Sequence, residues 1–167
     1  LVGCEIPIML NKITDKPYNN VYFKGFLDMV LYHEPTNKFV IYDFKTSTNS
    51  WNAKQKKDET KQMQLILYKH FFSEQFNVPI ENIDIQFFIL KRKVYENTDY
   101  PSKRIQEYIP ASGKTKVAKG KRIVNDFIES CFNQDGTFKE KIHEHSASAW
   151  NCRFCVFNKK LCKDGVS

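Results

Sequence analysis

The chain has 167 residues, enough for one domain with a real hydrophobic core. Hydrophobic residues make up 41% of it and aromatics 14%, which excludes a disordered chain, and no apolar run approaches the length of a membrane span. The net charge of +7 favours an anionic partner, of which nucleic acid is the commonest; a basic surface with no partner accounts for it equally.

Residues 4–13 read as a first strand and residues 21–33, VYFKGFLDMVLYH, as a long second one. Glu34 to Lys38 contains Pro and Asn and predicts a turn. Residues 39–46, FVIYDFKT, predict a third strand. Apolar side chains on both faces of it (Val40, Tyr42 and Phe44 against Phe39 and Ile41) are the pattern of a strand covered on both sides. Thr48 to Lys57 reads as a polar loop. A helix follows over residues 58–76, with Asp58 as N-cap and Met63, Ile66, Leu67, His70 and Phe71 at helical spacing. Residues 83–91, IDIQFFILK, predict a fourth strand, and residues 92–104 a charged loop or edge excursion. A second helix is expected over residues 115–132, burying Val117, Val124, Phe127, Ile128 and Cys131. Asp135–Gly136 marks a turn before a Cys-rich tail. Three strands, a helix, a strand and a helix predict an α/β fold: a mixed β-sheet flanked by helices, in a single domain over residues 1–167.

Asp28, Asp43 and Lys45 sit inside segments that otherwise read as buried strand. Isolated charges there cost several kcal/mol, on the order of the desolvation penalty, and need a partner or a metal. If strands two and three form a hairpin centred on the Pro35–Thr36 bond, residue 28 faces residue 43, with Cβ atoms about 4.5–5.5 Å apart. Asp43 and Lys45 project from the same face. Two opposed carboxylates repel unless a cation lies between them, and Mg²⁺ or Mn²⁺, which take oxygen ligands, are the natural candidates. Lys45 could then orient or deprotonate an attacking water, or stabilise charge developing on a phosphate. A structural Asp–Lys ion pair at the sheet end is the plainer alternative.

Five cysteines occur, at Cys4, Cys131, Cys152, Cys155 and Cys162, and an odd count argues against a closed disulfide framework. Cys152, Cys155 and Cys162 fall within eleven residues, which suggests metal ligation in a cytoplasmic or other reducing intracellular compartment. Three reduced, buried cysteines are the alternative. Among the basic runs, Lys54, Lys56 and Lys57 follow the third strand and are the best phosphate-contact candidates; Lys91 ends the fourth. Trp51 in the same loop either stacks on a base or packs on the core.

Gly25-Phe26-Leu27-Asp28, then Asp43-Phe44-Lys45, then Gln64-Leu65-Ile66-Leu67-Tyr68 resembles the PD-(D/E)XK nucleases of the RecB-like branch. That branch includes nuclease domains of bacterial recombination helicases, phage exonucleases and CRISPR adaptation nucleases. Its pattern is an acidic residue on the first strand, matched by Glu5, then G-x-x-D, (D/E)-x-K and Q-x-x-x-Y. The resemblance implies a restriction-endonuclease-like fold and metal-dependent cleavage of DNA, end-directed more than site-specific, with a helicase or recombination protein as partner. By residue, it implies Asp28, Asp43 and the Phe44 carbonyl as metal ligands, Lys45 as catalytic lysine, and Gln64 and Tyr68 lining the site. Glu5 is implied as metal ligand or supporting carboxylate. The branch often adds an acidic residue or His on an upstream helix. None precedes Glu5, and the first residue is Leu, which fits a sequence lacking its true N-terminus.

The iron–sulfur members of that branch hold a 4Fe–4S cluster with three C-terminal cysteines and one near the N-terminus. The resemblance therefore implies Cys152, Cys155, Cys162 and Cys4 as ligands, although Cys4 directly precedes Glu5 whereas the family's first Cys lies well upstream. Cys131, His143 and His145 are alternative fourth ligands, and Zn²⁺ the alternative metal. Two other functions compete: an idle nuclease-fold module binding DNA or a partner in a larger assembly, and a zinc-stapled RNA-binding protein.

Overall fold

The computed structural model describes residues 1–11, 13–93, 100, 103–140, 146–158, 160–163 and 165–166. Its strands are β1 (Gly3–Leu10), β2 (Phe23–His33), β3 (Lys38–Ser47), β4 (Ile83–Lys91) and β5 (Ile105–Tyr108). Its helices are α1 (Ala53–Lys56), α2 (Glu59–Phe76), α3 (Lys114–Cys131) and α4 (Ala149–Cys152). The chain divides into two units, Leu1–Thr137 and Phe138–Ser167.

In the first unit the strands form one mixed sheet in the order β1-β2-β3-β4-β5. β1, β2 and β3 are antiparallel neighbours, β4 runs parallel to β3, and β5 adds an antiparallel edge. A parallel neighbour needs a crossover, and α2 lies in it. The β2–β3 connection is a 3-10 turn over Glu34–Thr36 closed by Asn37 in the left-handed conformation, φ 51°, which Asn tolerates better than most residues. This turn fixes the register, which runs from His33 opposite Lys38 to Met29 opposite Tyr42, as a hairpin centred on Pro35–Thr36 requires.

Asp58 caps α2 as its sequence position predicts, accepting from the Thr60 and Lys61 N–H groups. The helix is buried on two sides. Phe71 stacks on Phe23 of β2 with ring centroids 4.0 Å apart, and Phe72 meets Phe39 of β3 at 5.7 Å. On its other side α2 receives α3 at Gly120, where a Cβ would stand 3.0 Å from Met63 Sδ. Helix α3 buries a narrower line than its pattern predicts: Val117, Gly120 and Ile128. Phe127 lies beside that line and is 60% exposed, its ring edge-on to Phe132 at 6.4 Å.

Two short elements depart from the sequence expectation. The polar loop after β3 contains α1, held by a reciprocal capping box between Asn52 and Gln55. Strand β5 follows the charged 92–104 segment, of which residues 94–99, 101 and 102 lie outside the described residues. The sheet is also less covered than β3 suggested. Phe26, Phe44, Leu90 and Ile105 remain 46%, 39%, 41% and 43% exposed.

The second unit is short. Ser148 caps α4, Cys155 N–H bonds back to the Cys152 carbonyl at 3.2 Å, and Asn158 Nδ2 reaches that carbonyl at 3.1 Å. No helix among the described residues is long and apolar enough to cross a membrane.

Candidate active site

Among the described residues Asp43 is the one buried aspartate, 2% exposed on the middle strand of the sheet. Lys45, two residues on, brings Nζ to 2.7 Å from Asp43 Oδ2. That ion pair is the contact Oδ2 makes; the oxygen is buried and has no further partner among the described residues. Burial pushes the Asp43 carboxyl above the usual carboxylate range; the contact with Lys45 pulls it back, and the charge of Asp28 adds a further push.

Lys45 is held from the helix side. Its Nζ donates to Gln64 Oε1 at 3.2 Å, and Gln64 Nε2 donates to the Tyr68 hydroxyl at 3.2 Å. The i, i+4 spacing of Gln64 and Tyr68 puts both on one face of α2, so they act in series. The Tyr68 ring in turn lies on Gly25 of β2, where a Cβ would stand 2.8 Å from Tyr68 Cε1, closer than real Cβ atoms approach. Only glycine leaves room for the ring there. One run of contacts thus joins Asp43, Lys45, Gln64, Tyr68 and Gly25 across three elements.

Asp28 meets the site from β2. The β2–β3 pairing stops at Met29–Tyr42, one step short of Asp28 opposite Asp43. There the Asp28 carboxylate replaces the ladder: the Phe44 N–H donates to Asp28 Oδ2 at 2.6 Å. Glu5 lies on the same row, since Cys4 pairs with Met29 and Ile6 with Leu27 on either side of it. Its φ of 50° is left-handed, which costs a residue with a long side chain about 1 kcal/mol. In β1 the inward alternation slips by one residue at this row, its half-buried positions running Gly3 then Ile6; in β2 the buried positions are Leu27 and Val30, with Asp28 and Met29 half-buried between them.

The donor set fits a hard divalent cation. Asp43 supplies a buried oxygen whose close partner is Lys45, Asp28 supplies a second carboxylate, and such cations take oxygen ligands while keeping waters. Among the described residues no group of three or more His, Cys, Asp or Glu side chains is gathered as ligands. Glu5 therefore shares the row of the two aspartates without joining them in a ready trio. The same holds for the tail: Cys152 is buried, Cys155 exposed and Cys162 half-buried, not gathered as a set. Cys4 is exposed on β1, and Cys131 is half-buried in α3 beside Ser130. His143 and His145 lie outside the described residues.

Of the residues expected at nucleic acid, Lys54 and Lys57 are exposed and Lys56 is half-buried, its Nζ 5.6 Å from the Tyr108 ring centroid. Lys91 ends β4, half-buried and paired with Ser47. Trp51 is corrected: it is 6% exposed, packed on Phe87 with ring centroids 5.1 Å apart, and is not available to stack on a base. Its backbone is pinned by Gln106 of β5, which accepts from Trp51 N–H at 2.6 Å and donates to Trp51 O at 3.3 Å. Gln62 of α2 fastens the same loop from below, donating to the Lys56 carbonyl and, at 3.2 Å, to the Tyr108 hydroxyl. Neither Gln was singled out from sequence; the one available signal was a glutamine inside each apolar, regular element.

With the folded-state carboxyl of Asp43 raised, the native protein binds more protons than the unfolded chain across the interval above the ordinary carboxylate range. Its stability without metal therefore falls as pH rises through that interval. Asp43→Asn removes the penalty, so its metal-free melting temperature at pH 7 should equal or exceed the wild-type value, with a shallower pH dependence. A loss of several degrees at pH 7 would mean that the Asp43–Lys45 pair is a net structural support.

The model of the PD-(D/E)XK nuclease superfamily matches residues 1–163. No curated protein matches the sequence. Among solved structures, the crystal structure of SSO0001 is similar with a TM-score of 0.53 and 17% identity, a likeness of fold. The match covers 99% of this chain and 61% of that one, so the chain spans less than two thirds of the SSO0001 chain's length. The family match over nearly all of the chain carries the assignment: this chain belongs to the PD-(D/E)XK nuclease superfamily.

Proposed function

We propose that the chain is a metal-dependent DNA nuclease that hydrolyses phosphodiester bonds, with Asp28, Asp43 and Lys45 at the centre of the reaction. The observation that carries this reading is the buried Oδ2 of Asp43, which has Lys45 beside it and no further partner among the described residues. A carboxylate with purely structural work would have its oxygens satisfied. Asp28 and Asp43 would hold Mg²⁺ or Mn²⁺, with the Phe44 carbonyl and Glu5 as further oxygen donors. When bound, the cation neutralises charge on the scissile phosphate and polarises it.

The protein's own groups do the rest. Lys45, steadied by Gln64, presents its N–H donors beside the carboxylates, where they orient an attacking water and stabilise charge developing on a phosphate oxygen. Tyr68 steadies Gln64 and is itself seated on Gly25. Asp28 holds the β3 backbone at Phe44, fixing the strand that carries both Asp43 and Lys45. Lys54, Lys56 and Lys57, on the loop pinned by Gln106 and Gln62, would take backbone phosphates, with Lys91 as a further contact.

The finer assignment is to the RecB-like branch, with end-directed DNA cleavage in recombination or repair and a helicase or recombination partner. The motif order Glu5, Gly25–Asp28, Asp43–Lys45, Gln64–Tyr68 supports it. With it goes a Cys staple making residues 1–167 one nuclease domain: Cys152, Cys155 and Cys162 with Cys4 around a 4Fe–4S cluster, or around Zn²⁺. The eleven-residue spacing of the three tail cysteines supports the staple. The visible spectrum of anaerobically purified protein separates the metals. A brown protein absorbing near 400 nm is expected; a colourless protein containing zinc would assign the staple to Zn²⁺, and one without bound metal would remove it.

Lys45→Ala and Lys45→Gln should lower Mg²⁺- or Mn²⁺-dependent cleavage of linear DNA by about 100-fold or more, the scale of losing a group that stabilises developing charge. Circular dichroism should report an unchanged fold. Cleavage by either variant at the wild-type rate would sink the assignment. Wild-type protein that binds DNA without metal-dependent turnover would favour an idle binding module.

A further inference from the structure

Away from Asp43, a cavity of about 760 Å³ opens between α2, the turn before β4 and the start of α3, a volume typical of small-ligand sites. It shares no lining residue with the Asp43–Tyr68 run. Two adjacent residues of α2 reach it: Lys69, 8% exposed, and His70, 7% exposed. Lys69 Nζ has one hydrogen bond, to the Ser112 hydroxyl at 3.4 Å, and no ion-pair partner among the described residues. His70, whose ring lies 4.9 Å from that of Phe71, has no hydrogen-bond partner among the described residues. A buried ammonium served by one hydroxyl is a charge still lacking its counter-ion.

The far side of the cavity is the N-terminus of α3, an 18-residue helix. Gly113 at its N-cap offers no side-chain cap and its first turn has no acidic residue, so the first N–H groups have no side-chain acceptor and the helix dipole stands uncompensated. Lys114 and Lys121 add positive charge to the lining, against Glu74 and Glu81. Donors thus converge from α2, from Ser112 and from the end of α3. Convergence from several directions suits a tetrahedral oxyanion better than a planar carboxylate. The volume exceeds that of the anion alone, and Ile80 and Val117 give an organic group an apolar wall.

We propose that this cavity binds a phosphate monoester, with Lys69, Ser112 and the α3 N-terminus on its oxygens and His70 beside them. The monoester belongs to a nucleotide, free or at the 5′ end of a DNA strand. Burial holds the Lys69 ammonium below the usual lysine range, and a bound dianion would relieve this. The site stands whether or not the chain cleaves DNA.

Thermal unfolding of the intact chain, without added Mg²⁺ or Mn²⁺, tests it with four probes at matched ionic strength. These are inorganic phosphate, dAMP, and an oligonucleotide with either a 5′-phosphate or a 5′-hydroxyl. Phosphate and dAMP should raise the melting temperature by about 3 °C or more at tenfold their Kd. A larger response to the 5′-phosphorylated than to the 5′-hydroxyl oligonucleotide would give the strand end as the source; equal responses from the two, with dAMP active, would give the free nucleotide. Lys69→Met should melt higher than wild type without ligand and lose the phosphate response. A purely structural lysine would not yield that pair of results. Lys114→Gln/Lys121→Gln should weaken the response while leaving the fold intact, which keeps the test open should Lys69→Met fail to fold. Stabilisation by chloride equal to that by phosphate, or a full phosphate response in the Lys114/Lys121 double variant, would overturn the proposal.

Discussion

A carboxylate 2% exposed on the middle strand of a sheet must be neutralised, paired or compensated, and Asp43 is only partly any of these. Lys45 approaches it at 2.7 Å, and Asp28 adds a second negative charge from the neighbouring strand. A cation held between the two carboxylates, as proposed, would relieve the burial penalty that pushes the Asp43 carboxyl up. Much of the surrounding structure serves to hold this arrangement. Asp28 takes the place of a ladder hydrogen bond at Phe44, Gln64 holds Lys45, and Tyr68 occupies the space that Gly25 leaves.

That dependence gives three of the sequence motifs, Gly25–Asp28, Asp43–Lys45 and Gln64–Tyr68, one physical meaning. They are contacts in a single run across β2, β3 and α2. The glycine three residues before Asp28 is there for the ring of Tyr68; the Gln four residues before Tyr68 is there for the ammonium of Lys45. Glu5, on the same row as both aspartates, sits where the left-handed backbone of β1 and the slip in that strand's alternation coincide. Backbone held in an unfavourable conformation beside reactive groups is a common companion of function.

The part of this that could be read from the sequence was the part set by local rules. A Pro–Thr turn followed by Asn fixes the hairpin, the hairpin fixes the register, and the register sets residue 28 across from residue 43. Asp58 as a cap and the β4 boundaries follow from equally local signals. What could not be read depended on neighbours distant in sequence. Strand β5 has four residues and exists because β4 offers an edge to pair with. Phe127 belongs to an apolar stripe by spacing, but the narrow line through Val117, Gly120 and Ile128 leaves it in solvent. Trp51 could stack or pack, and Gln106 decides for packing by seizing its backbone. The left-handed φ of Glu5 has no signature in a GCEIP segment, because nothing in those residue types favours it. His70 reads as a member of a helix face and Lys69 carries no signal of its own; only the opposing end of α3 makes them a pocket.

Occupancy of a cation site at the Asp28–Asp43 pair would relieve the buried charge of Asp43. Titration of the intact chain with Mn²⁺, followed by the electron paramagnetic resonance of the free ion, measures this without any nucleic acid. The account predicts binding by the wild-type protein that is weakened by about tenfold or more in both Asp28→Asn and Asp43→Asn, the scale of losing a carboxylate ligand or its close support. Lys69→Met, remote from the pair, should bind as the wild type does. Undiminished Mn²⁺ binding by Asp43→Asn would contradict it.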